Sequence, residues 1–182
     1  MFQSLRVNEY FDDYVVFDIE TSGLNPHKDK IIEIGAIKYK NNKKVDEFSY
    51  LIDPKIKLNE IITIVTGITD KDLEGQKTID EVLPMFLNFI GDYPIIGHNV
   101  RFDYDFIEAN INKLDLKHIK NKIIDTLFLS RITIYDSQNH KLETLKKYLN
   151  LDYNSHRAID DCLTCNDLYQ YCKNKHSGGK NE

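Results

Sequence analysis

Runs that suit a strand and periods that suit a helix take turns along this chain. Tyr14 to Glu20 is a β-branched and aromatic run closed by Thr-Ser-Gly and Asn-Pro turn signals, which predicts a first strand. Ile31 to Tyr39 and Val45 to Ile52 read as two more strands, joined by the polar loop KNNKK into an antiparallel hairpin. Helical spacing takes over at Ile79, Val82, Leu83, Phe86 and Ile90, with Thr78 and Glu81 set as a capping box. Pro94 to Gly97 and Ile123 to Asp125 predict short buried strands. Helices are expected over Phe102 to Lys113, Thr126 to Ile134, Leu142 to Leu149 and Arg157 to Lys173. The sum is an α/β fold with a mixed sheet and no internal repeat.

Composition narrows the class. At 182 residues and 41% hydrophobic, one domain with a sizeable core is expected. Residues 1–13 are read as an N-terminal arm, 14–175 as the domain, and 176–182, ending in SGGKNE, as a disordered tail. No apolar run approaches the roughly 18 residues of a membrane span, and the start MFQSLRVNEYFDDY lacks the pattern of a secretion signal, so a cytoplasmic location is expected. Three cysteines fit a reducing compartment better than a disulfide framework. The net charge of −5 argues against a broad, sequence-blind polyanion binder, though not against nucleic acid held where acids gather around cations.

The acids carry the chemistry. Asp18 and Glu20 are two apart on the first strand and therefore share a face, where side-by-side carboxylates repel. A divalent cation between them resolves the repulsion; so does a sheet edge open to water. Asp103 falls on the apolar stripe of its helix with Phe106, Ile107, Asn110 and Leu114, whereas Asp105 lies about 200° round and faces solvent. Asp161 shares a stripe with Ala158, Cys165, Leu168 and Cys172, with Asp160 nearer the rim. An aspartate early in a helix is also favoured by the macrodipole alone. Four carboxylates on core-facing sides imply one shared counter-charge. His156 stands in the loop before the last helix, as a surface residue or as a general base over the cluster. Cys162 and Cys165 form a C-x-x-C within an apolar helical pattern, which favours core packing over zinc.

FDIETSG, HNVRFD and HRAIDD, in that order and spacing, resemble the DEDD-type 3'-5' exonucleases, in the branch with histidine before the last aspartate that includes the proofreading epsilon subunit of bacterial DNA polymerase III. TGIT at Thr66 to Thr69, DTLFLSR from Asp125 and LETLKKYL from Leu142 support the match, which spans about Tyr14 to Cys172. The resemblance implies a ribonuclease-H-like fold with a five-stranded mixed sheet flanked by helices. It implies two Mg2+ or Mn2+ ions held by Asp18, Glu20, Asp103 and Asp161, with His156 deprotonating the attacking water. Thr21, Leu24, His98, Asn99 and Phe102 match positions that border the terminal nucleotide in relatives, Leu24 and Phe102 by wedging or stacking the last base. Lys141, Lys146 and Lys147 are candidates to meet the incoming backbone. The implied partner is nucleic acid with a free 3' end, DNA ahead of RNA, with a DNA polymerase as a further partner and no membrane. A trimming ribonuclease and a silent binding module of the same fold stay open as alternatives. Retention of all five candidate catalytic residues favours an enzyme.

Overall fold

In the computed structural model, which describes residues 2–178, the chain enters through a short helix α1 (Phe2–Leu5) and builds β1 (Tyr14–Thr21), β2 (Ile31–Lys40) and β3 (Lys43–Leu51) in succession. Helices α2 (Glu60–Thr66), α3 (Asp70–Leu73) and α4 (Ile79–Ile90) follow. Then come β4 (Ile95–Gly97), α5 (Arg101–Lys113), β5 (Ile123–Asp125), α6 (Thr126–Thr133), α7 (Leu142–Tyr148) and α8 (Ala158–Gly178). The five strands form one sheet in the order β3-β2-β1-β4-β5. β2 is antiparallel to both its neighbours, while β1, β4 and β5 run parallel, so the sheet is mixed, as expected. The hairpin turn between β2 and β3 is tighter than KNNKK suggests. It consists of Asn41 and Asn42, both in the left-handed region at φ 50° and 59°, which a type I′ turn requires.

Alternation along β1 builds two cores. Val15, Phe17 and Ile19, with Ile34, Ala36 and Phe48, pack under α4 and α5 through Val82, Phe86, Phe106 and Ile107. Tyr14 and Val16, with Ile37, Ile96 and Ile124, pack under α6, α7 and α8 through Leu129, Leu145, Leu168 and Tyr169. Cys162, Cys165 and Cys172 are free thiols buried in that second core. The first turn of α8 lies directly on β2. A Cβ added at Gly35 would come within 2.7 Å of the Ala158 backbone, so glycine is what permits the approach.

Three short helices, α1, α2 and α3, were not expected from periodicity. α2 is EIITIVT, a β-branched run that reads locally as strand. It is helical because Asn59 caps its start, accepting the Ile61 N–H, and Gly67 ends it at φ 71°. The TGIT segment is thus a helix stop followed by Thr69, which opens α3 with a capping box to Asp72. Residues before Tyr14 pack down from Phe2 onward. Phe2 meets Tyr104 with ring centroids 5.0 Å apart, and the Val7 N–H donates to the Ile123 carbonyl at 2.9 Å, covering part of the β5 edge. At the other end α8 runs on through His176 to Gly178, past the expected start of the tail; residues 179–182 of that tail lie outside the described residues.

Candidate active site

The face of β1 that carries Tyr14 and Val16 continues with Asp18 and Glu20, which stand opposite Gly35 and Glu33 of β2. Asp103, in the first turn of α5, is 4% exposed, and its carboxylate accepts the Ile19 N–H at 3.2 Å. Asp161, in the first turn of α8, accepts the His156 N–H at 3.1 Å. His156 takes a left-handed backbone, φ 62°, in the loop before α8. Ligand atoms of Glu20, His156 and Asp161 lie within 4.8 Å of one another. A cleft of about 630 Å³ opens here, lined by Asp18, Glu20, His156 and Asp161 and also by His98, Asn99 and Phe102. Asp103 does not line the cleft, but its charge is close enough to raise the pKa of Asp18.

Among the described residues, no hydrogen bond or ion pair reaches the carboxylate of Asp18 or Glu20. Burial, then the charges of Asp103, Asp161, Glu20 and Glu33, hold Asp18 well above the ordinary carboxyl range. Glu20 is pushed up to about 8 by burial and by Asp161, Glu33 and Asp103, with Arg157 opposing. Burial also raises Asp103, against the hydrogen bond from Ile19, and Asp161, against the one from His156. A group of hard carboxylate oxygens, two of its members without a bonded partner among the described residues, with an imidazole at its rim has the donor chemistry of a divalent-cation site.

Elements outside the three motifs hold this group in place. Glu33, only 1% exposed, accepts the Ala158 N–H at 3.2 Å and pairs with Arg157 at 3.2 Å, fixing the start of the helix that carries Asp161. On the other side of the His156 loop, Lys146 Nζ donates to the Tyr153 carbonyl at 2.8 Å and to Ser155 Oγ. Lys146 is therefore an internal tie rather than a cation awaiting ligand, and Lys147 pairs with Glu143 at 2.9 Å. Asp125 caps α6 through the Leu127 N–H and holds the Asn99 N–H, both at 3.0 Å. Sequence reading passed over Glu33 and Arg157. The signal was present as a lone acid inside the apolar strand IIEIGAI.

The expected nucleotide-border residues divide. His98, Asn99 and Phe102 line the cleft. Both His98 ring nitrogens are engaged, Nδ1 with Thr126 Oγ1 at 3.0 Å and Nε2 with the His140 carbonyl at 2.9 Å, so Nε2 is the donor, and burial holds this imidazole below its ordinary pKa. Phe102 also packs on Phe106, ring centroids 4.9 Å apart. Thr21 is buried, its hydroxyl donating to the Gly23 carbonyl at 2.6 Å, and Leu24 is 84% exposed; neither lines the cleft.

Residues 15–169 match the model of the family described as Exonuclease (RNase_T). The chain belongs to this exonuclease family. The DNA polymerase III PolC-type of Clostridium perfringens (strain 13 / Type A) is 44% identical over 165 residues, 90% of this chain and 11% of that protein. The PolC-type polymerase of Halalkalibacterium halodurans is 43% identical over 82% of this chain and 10% of its own. This exonuclease-family chain thus spans about a tenth of the length of the curated relatives it matches. Among solved structures, E. coli exonuclease I in complex with a dA16 oligonucleotide superposes with a TM-score of 0.78 at 17% identity, over 92% of this chain and 42% of that one. A zinc-bound exonuclease I–single-stranded DNA complex gives the same score at 18% identity. These likenesses establish the ribonuclease-H-like fold for the exonuclease-family chain.

Proposed function

We propose that the chain is a 3'-5' exonuclease module that removes nucleoside monophosphates from the 3' end of single-stranded or mismatched DNA. The observation that carries this reading is convergence. Asp18, Glu20, His156 and Asp161, from two separate segments, line one cleft, Asp103 from a third acts on Asp18 from close by, and among the described residues the carboxylates of Asp18 and Glu20 have no hydrogen-bond or ion-pair partner.

Asp18, Glu20, Asp103 and Asp161 would hold two divalent cations, Mg2+ or Mn2+. When bound, such a pair lowers the pKa of water and stabilises the attacking and leaving oxygens of a phosphodiester. His156 accepts the proton of the attacking water as that oxygen bonds to phosphorus. The bond from phosphorus to the 3' oxygen breaks and that oxygen takes a proton from solvent, leaving a new 3' hydroxyl and a 5'-monophosphate. Phe102 gives the terminal base an apolar face. The PolC-type names of the relatives and the oligonucleotide in the exonuclease I structure support DNA as substrate and work beside a polymerase. Among the described residues no helix is long and apolar enough to cross a membrane, and a cytoplasmic setting goes with this reading.

The test uses one metal condition and three substrates: 3'-tailed DNA, duplex DNA with a mismatched 3' end, and a short RNA. Stepwise loss of 3' nucleotides from the two DNAs, faster than from RNA, is expected. Faster loss from RNA would transfer the reading to ribonuclease trimming, and loss from the 5' end would overturn the polarity.

A further inference from the structure

Carboxylates are only part of the charge in this cleft. Arg131 of α6 and Lys141, immediately before α7, line it as well. Among the described residues neither cationic group enters an ion pair or a side-chain hydrogen bond. Their neighbours are committed elsewhere: Lys146 to the Tyr153 carbonyl, Lys147 to Glu143 and Arg157 to Glu33. The backbone that carries Lys141 is fixed. His98 donates to the His140 carbonyl at 2.9 Å, His140 Nδ1 meets Ser130 Oγ at 3.1 Å, and the Lys141 N–H donates to Asn139 Oδ1 at 2.9 Å. This segment is therefore tied both to α6 and to the end of β4. Arg131 is near enough to His98 for its charge to add to the burial that disfavours a protonated imidazole.

Two exposed cations without partners among the described residues, lining a cleft that acids also line, suit an anionic ligand extending past the acids. A polynucleotide has that form, since one phosphate can meet the carboxylate cluster while the next along the strand reaches positive groups. The acids come from β1 and α8, the cations from α6 and the segment before α7, so the two charge sets do not neutralise each other within one element. We propose that Arg131 and Lys141 form a subsite for the internucleotide phosphate next to the one being cut. This rests on the exonuclease reading above and deepens it: substrates with at least two phosphodiesters are favoured over those with one.

Arg131→Gln, Lys141→Gln and the double variant are compared with Lys44→Gln, a surface change on β3 at an exposed pair with Glu47. Two substrates are used with Mn2+: a single-stranded oligodeoxynucleotide and the p-nitrophenyl ester of thymidine 5'-monophosphate, which has one phosphodiester. Each cleft substitution is expected to raise KM for the oligonucleotide about fivefold or more, with kcat changed less than about twofold and a clearly smaller loss on the ester. In a second arm, fluorescence anisotropy follows oligonucleotide binding to metal-free protein in EDTA. There the slope of log affinity against log salt should fall by roughly 0.7 for each cation removed, and Lys44→Gln should leave it unchanged. Equal losses on both substrates, or an unaltered salt slope, overturn the subsite. If the unmodified protein cleaves neither substrate, the exonuclease reading fails. The anisotropy arm then decides separately: a flattened slope keeps Arg131 and Lys141 as a phosphate-binding pair without a cutting site beside it, which overturns the subsite as stated, and an unaltered slope removes the pair as well.

Discussion

Two halves of one strand face the same side of the sheet and meet opposite fates. Tyr14 and Val16 are sealed under α8, with Leu168 and Tyr169 against them. Asp18 and Glu20, the next two positions on that face, lie under the start of the same helix, at the cleft. The apolar half gains from burial; the acidic half is opposed by it, as the raised pKa values of Asp18 and Glu20 record. The first half fixes β1 against α8, and that rigidity keeps the second half from relieving its repulsion by moving apart. On the proposed reading, a site for cations is thereby held ready at the expense of metal-free stability.

Converting the acidic half toward the apolar one should break the contrast most strongly. Asp18→Asn is expected to reduce Mn2+-dependent release of mononucleotides from a labelled strand to background, while raising the melting temperature in EDTA by a few degrees, since about 1 kcal/mol shifts a domain of this size by roughly 2–4 °C. Retained activity, or a lower melting temperature, would count against the repulsion described. Next in size, His156→Asn, which tolerates the left-handed backbone at this position, should slow hydrolysis by about 10²–10⁴-fold with an unchanged circular dichroism spectrum. A loss smaller than tenfold would reassign the base.

Glu33→Gln keeps an acceptor for the Ala158 N–H but removes the charge that pairs with Arg157. A loss of about 10–100-fold in Mn2+ affinity is expected, as for partners that orient ligands, and can be read by calorimetry without substrate. The smallest effect is in pH dependence. With carboxyls raised in the folded state, Glu20 to about 8, folded protein binds more protons than unfolded protein above the ordinary value near 4. Stability in EDTA is thus expected to fall as pH rises from about 5 to 8, and saturating Mn2+, which requires deprotonated carboxylates, to flatten or reverse that trend. A melting temperature independent of both would remove the charge repulsion from the account.

Periodicity made much of this legible. The sheet strands, the helical stripe that turns Asp103 inward and the position of His156 in a loop all follow from local spacing, and the structure has them, whereas Asp161 is only half-buried, as is Asp160 beside it. Features that depend on distant partners were not legible. Glu33 reads as an anomaly in an apolar strand until Arg157, 124 residues later, is seen against it. Helix α2 opposes its own β-branched content because the caps Asn59 and Gly67 decide it. The three lysines near α7 look alike in sequence; only packing separates Lys141, in the cleft, from Lys146, tied to Tyr153, and Lys147, paired with Glu143.

Calorimetric titration of Mn2+ into the metal-free protein tests the central claim most directly. Saturable uptake that releases protons and disappears in the Asp18→Asn, Glu20→Gln double variant is the predicted result. Absence of uptake by the unmodified protein, or uptake that survives both substitutions, would contradict the account.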